Sequence, residues 1–149
     1  MTRHEQYDLF LPFFKAEEER YAALTQRGAA FLGFISVISL FGGTSLLKGQ
    51  SLLGASLIGL SVLLAVLCAL MSLLIRSYWD ICDVEELVVT IEEEHYEEED
   101  IYSVLLANMA DAVCHNRGIN DQRANWLQYS AFFFALAVST VVITSIITR

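Results

Sequence analysis

The chain has 149 residues, 55% of them hydrophobic, and a net charge of −9. That charge excludes nucleic-acid recognition through an overall basic field, because phosphate contacts need Lys and Arg in excess; a local basic patch at Arg117 and Arg123 stays open. The charged residues crowd into 1–27 and 76–123, which is not the pattern of an ordinary soluble domain.

Three windows, 28–47, 49–75 and 124–148, carry no charged side chain over 20, 27 and 25 residues. About 20 apolar residues in a helix cross the hydrocarbon core of a bilayer. The expected fold class is therefore an all-α membrane protein with three transmembrane helices per chain: a hairpin, a cytosolic helical insert and a C-terminal span, assembled as a homo-oligomeric bundle.

Residues 1–27 read as a cytosolic amphipathic N-terminal helix. Pro12 disfavours helix before it and suits a first helical turn. The run from Phe13 to Leu24 is rich in good helix formers, so the helix is expected from about Pro12 into the first span (28–47), ending near Gly42-Gly43. No small-residue cleavage site follows the first apolar run, so that span is expected to act as its own uncleaved anchor. Lys48-Gly49-Gln50 then predicts a tight turn, with Ser51 capping the second span (51–75). Gly33, Ser36, Ser39 and Gly43 in the first span, and Ser51, Ala55 and Gly59 in the second, are small residues that permit close helix approach, within the hairpin or between subunits.

Residues 76–125 read as a cytosolic helical segment with an acidic run. Val84, Leu87, Val88 and Ile91 fit the helical template, with a short strand as the alternative. After the acidic run, Ile101, Val104, Leu105, Met109, Ala112 and Val113 predict an amphipathic helix that Gly118 ends. Asn120 or Asp121 is expected to cap the final helix, which spans 126–148 with Trp126 and Tyr129 at headgroup level. Arg3, Lys15, Arg20, Arg27, Arg76, Arg117 and Arg123 fall on one side of the bilayer and only Lys48 and Arg149 on the other. That bias places the N-terminus in the cytoplasm and the C-terminus outside.

Several features admit both a structural and a functional reading. Glu92, Glu93, Glu94, Glu97, Glu98, Glu99 and Asp100 form either a solvated acidic segment or, in several copies around an axis, an acidic vestibule that concentrates cations. Thr140, Thr144 and Thr148 share one stripe of the last span. Their hydroxyls either bond back to their own helix or line a pore, with Phe133 and its aromatic neighbours as an apolar constriction. Asn116, Arg117, Asn120 and Arg123 make a polar connector: a juxtamembrane turn, or an anion-binding site at a helix N-terminus. No ionisable residue lies deep in a span, which argues against a proton pump or coupled transporter.

Cys68, Cys82 and Cys114 lack the spacing of a disulfide framework or a zinc site. His95 and His115 stand outside any metal or catalytic motif. No enzyme, metal or cofactor is expected.

The layout resembles that of the small multi-span membrane effectors of bacterial antiphage defence, the SLATT-like, Pycsar-type and Hailong-type groups. The residues that carry the resemblance are Glu19 to Phe34, leading from a charged helix into a hairpin, and Asn116-Arg117 with Asn120 to Ala124 leading into the last span. The resemblance implies a homo-oligomer, four copies being the expectation, that depolarises the inner membrane. It also implies a nucleotide-derived regulatory ligand or a partner nucleotidyltransferase. The function expected is thus an ion channel or pore gated through its cytosolic region. The alternative is a membrane anchor or scaffold that docks a cytosolic partner on Val84/Leu87/Val88/Ile91 or Ile101/Leu105/Met109.

Overall fold

A computed structural model describes residues 3–47, 52–75 and 98–147; for residues 3, 4, 41–47, 98 and 99 it describes the backbone alone. All three stretches are helical: α1 (Arg3–Leu47), α2 (Leu52–Leu74) and α3 (Glu98–Ile147). Each holds a stretch long and apolar enough to cross a membrane. With 45 and 50 residues, α1 and α3 are more than twice the ~20 residues that a crossing needs.

Four of the expected helix boundaries do not occur. α1 begins well before Pro12 and contains it. Proline removes the amide that would bond the carbonyl of Asp8, but Pro12 is exposed, where water can replace that donor. α1 also runs past Gly42-Gly43 to Leu47. α3 runs through Gly118, Asn120 and Asp121 without a break, so Gly118 is not a helix stop and neither Asn120 nor Asp121 is a cap. Gly118 is exposed and nothing lies within 4 Å of where its Cβ would be. A mid-helix glycine costs about 1 kcal/mol against alanine, and the buried residues on either side of it outweigh that.

Those buried residues fall into stripes. On α3 they are Met109, Ala112, Asn116, Asn120, Arg123, Ser130 and Ala137, with Leu127 and Phe134 half-buried between them. Steps of three and four along 28 residues are the seam of one helix face packed on neighbours. On α1 the equivalent run is Phe14, Glu17, Leu24, Gly28 and Ile35. On α2 it is Gly54, Ile58, Ser61, Ala65, Cys68 and Ser72, nearly a heptad pattern. Ala55 and Gly59, two small residues of the expected packing stripe, lie off that seam: Gly59 meets nothing within 4 Å, and neither does Gly33 on α1.

The chain divides into two compact units. In the first, Met1–Ala22 with Ser77–Asp121, α1 and α3 lie side by side in parallel. Phe14, Met109 and Ala112 form its core, with Tyr7, Leu11 and Val113 against them, and Tyr7 meets Tyr102 edge to face at 6.0 Å.

The second unit is Ala23–Arg76 with Gln122–Arg149. Here α1 and α3 run parallel and α2 packs antiparallel to both. Phe134 packs edge-on against Phe31 and Phe34 at 5.8 and 5.7 Å. The outward face of α2 is a row of exposed leucines, including Leu53, Leu57, Leu60, Leu63, Leu67 and Leu70. A helical unit that satisfies its backbone internally and turns leucine outward is suited to lipid.

Candidate functional site

Each unit contains a polar cluster on the buried seams. In the first unit, Glu17 follows the core residue Phe14 by one turn of α1 and is itself buried. A buried carboxylate is costly unless it is paired and hydrogen-bonded, and Glu17 is both. Arg117 Nε donates to its Oε1 at 3.2 Å and Asn120 Nδ2 to its Oε2 at 3.0 Å. The same Nδ2 also donates to the main-chain carbonyl of Glu17 at 2.9 Å. Arg20 lies 3.6 Å from the Glu17 carboxylate and donates to Asp121 Oδ1 at 2.6 Å. Two cations and two anions therefore alternate across the α1–α3 seam around one buried amide, whose Oδ1 has no partner.

In the second unit Arg123 takes the central place. It is 1% exposed. Its Nε donates to the carbonyl of Ser72 on α2 and its Nη2 to Thr25 Oγ1 on α1, both at 2.8 Å. One planar guanidinium, with donors fixed in two directions, thus ties all three helices. Farther along, buried Ser130 Oγ donates to the carbonyl of Ala65 at 2.6 Å. The Ser72 hydroxyl is buried without a partner.

This placement changes how the polar connector is read. Asn116, Arg117, Asn120 and Arg123 sit within a continuous helix, so the free helix N-terminus on which an anion site was expected is not there. Arg117 and Asn120 face a carboxylate, Arg123 faces a carbonyl and a hydroxyl, and Asn116 is buried. Arg117, Asn120 and Arg123 thus fasten helix to helix, and the four do not converge on one free helix end.

The other expected sites fare differently. Thr140 Oγ1 donates to the carbonyl of Leu136 at 2.8 Å, and Thr144 Oγ1 to that of Thr140 at 2.7 Å. Both hydroxyls are satisfied by their own helix, as Ser36 and Ser56 are by the carbonyls of Leu32 and Leu52. Phe133 is half-buried and packs edge-on against Phe132 at 5.6 Å. Thr148 lies outside the described residues, as do Glu92, Glu93, Glu94 and Glu97. The backbone of Glu98 and Glu99 opens α3, and Asp100 is exposed there. Of the two docking faces, Val84/Leu87/Val88/Ile91 lies outside the described residues, while Met109 of the second is fully covered by the chain's own core.

Glu17, Arg20, Thr25, Ser72, Asp121 and Ser130 complete these clusters without having been expected there. One signal existed in the sequence: Asn116, Asn120 and Arg123 are spaced i, i+4, i+7 and continue the phase of Met109 and Ala112, which marks a buried face. Their partners on α1 and α2 carry no such mark. No protein-family model, curated protein or solved structure matches the chain.

Proposed function

We propose that this protein is a membrane effector: a homo-oligomeric ion channel or pore in a bacterial inner membrane, gated through its cytosolic region and acting in antiphage defence by depolarisation. One observation carries the channel reading. Past Ala137, no described residue of α3 is buried by its own chain. That stretch holds Ser139, Thr140, Thr144 and Ser145 among apolar residues, so its mixed face is left for lipid or for other copies of the chain. Copies around an axis would turn the hydroxyl side inward and the apolar side to lipid, which is how a water-filled path is lined. The polar clusters support the gating part. Glu17, Arg20, Arg117 and Asp121 are charged groups on which a ligand or partner can act, and one that prefers a particular arrangement of them shifts the population toward it.

The scaffold reading has less to stand on, because Met109 is already buried against Phe14. Planar-bilayer recording of purified full-length protein, with and without added cyclic and linear nucleotides, tests the channel. Discrete conductance steps are expected, and silence under every condition removes the proposal.

A further inference from the structure

Within the second unit, α1 and α3 enclose an open groove of about 320 Å³. Leu24, Arg27 and Phe31 line it from α1, and Leu127, Gln128 and Ala131 from α3. These positions are one turn or two apart on each helix, so the groove follows the helix direction for about 10 Å at 1.5 Å per residue. Its walls are apolar except for Arg27 and Gln128. Arg27 is the last charge before the charge-free window 28–47, and Gln128 lies four residues into the window 124–148. The groove thus crosses the level where charge stops: Leu24 lies on the charged side of Arg27, and Phe31 and Ala131 lie in the charge-free windows.

Arg27 also differs from its neighbours in what it touches. Arg20 and Arg117 are paired with Asp121 and Glu17, and Arg123 is buried against Ser72 and Thr25. Arg27 and Gln128 are exposed, and neither side chain has a hydrogen-bond or ion-pair partner among the described residues. A guanidinium presents donors in a fork that fits a phosphate in two-point contact. A cation and an amide that no described residue pairs, beside an apolar groove, complement a molecule with an anionic oxygen-rich head and a hydrocarbon tail.

We propose that this groove is a binding site for one anionic phospholipid, its phosphate held by Arg27 with Gln128 beside it and the upper part of one acyl chain lying against Phe31, Leu127 and Ala131. From Arg27 to Phe31 the groove runs about 6 Å at 1.5 Å per residue, which covers the first part of the ~15 Å of hydrocarbon in one leaflet. The site rests on the chain being embedded in a membrane; it does not depend on whether the assembly conducts.

Native mass spectrometry of the full chain, released from detergent with added phosphatidylglycerol or phosphatidylcholine of identical acyl chains, tests it. Wild-type protein is expected to retain phosphatidylglycerol roughly fivefold better, the effect of one basic side chain at an anionic headgroup. Arg27→Gln should bring that ratio close to one with no loss of thermal stability, since Arg27 holds no other described residue. Arg27→Lys should keep part of it, and Ala131→Leu, which fills the groove, should lower retention of both lipids. Equal retention by the wild type, or a preference that survives Arg27→Gln, overturns the proposal. So does dissociation of an oligomer by Ala131→Leu with lipid retention unchanged, which would mean that a second copy fills the groove. If the membrane reading itself fails, the protein will remain soluble without detergent, an outcome separate from all of these.

Discussion

Arg123 on α3 donates its Nε hydrogen to the main-chain carbonyl of Ser72 on α2 at 2.8 Å, while the same guanidinium reaches Thr25 on α1. One side chain thus joins α3 to both of its neighbouring helices, and it does so where water has no access. Truncation by Arg123→Ala removes the bonds to Ser72 and Thr25 from a charged donor and leaves a cavity, so a loss of about 2–4 kcal/mol is expected. Arg123→Lys keeps the charge but not the fork, and about half that loss is expected. Thermal unfolding in detergent reads both; an Arg123→Ala protein that melts with the wild type would show that the guanidinium does not hold the three helices.

Glu17 and Asn120 offer a test by charge. Their side chains meet at 3.0 Å in a buried setting. Asn120→Asp would set a second carboxyl there, and two carboxylates so close do not both ionise, so one takes up a proton in the folded state. The folded variant then binds more protons than the unfolded chain above the ordinary carboxylate range, and its stability falls as pH rises. Below about pH 4 both states carry the proton and the penalty shrinks. Asn120→Asp is therefore expected to be less stable than Asn120→Ala at pH 7 and to approach it at pH 4. A gap between the two that does not change with pH would contradict the contact.

The legible part of the molecule is the part that charge alone decides. Three charge-free windows predict three helices, and α2 (Leu52–Leu74) matches its window almost residue for residue. The windows say nothing about where the long helices end, because propensity rules weigh Pro12 and Gly118 by themselves. Both residues are exposed on helices whose opposite faces are buried, and there the packed seam outweighs a local cost of a few kcal/mol. The polar cluster was half legible for the same reason. Asn116, Asn120 and Arg123 share a phase with Met109 and Ala112, but Glu17 stands in the run Glu17-Glu18-Glu19, where nothing but burial tells it from its neighbours. Which glutamate faces inward follows from the register of α1 on α3, a tertiary fact.

Close helix approach gives a third expectation, at Gly28. A Cβ there would lie 3.0 Å from Leu73 Cδ2 and 3.5 Å from Leu127 Cδ2, so α1 meets both neighbours at this point. Gly28→Ala gains about 1 kcal/mol of helix propensity and asks only the tip of Leu73 to move by a few tenths of an ångström, so its net effect should stay within about 1 kcal/mol. Gly28→Leu has no room and is expected to lose about 2–3 kcal/mol by forcing the helices apart. Thermal unfolding of the two variants decides; equal stability of Gly28→Leu and the wild type would mean that the helices do not close on this glycine.

The threonines of α3 separate packing from conduction. Thr140 and Thr144 each return their hydroxyl hydrogen to a carbonyl of their own helix, a bond that contributes little to a helix already bonded along its backbone. Thr140→Val and Thr144→Val keep shape and volume, so each should shift stability by less than about 1 kcal/mol. A hydroxyl so bonded still offers its oxygen lone pairs to water or a cation, and the valine variants remove them. If the outer half of α3 lines a path for ions, the double variant should conduct several-fold less than the wild type in planar bilayers while melting with it. Unchanged single-channel conductance in that fully folded variant would place the path elsewhere, and α3 would then turn this face to lipid.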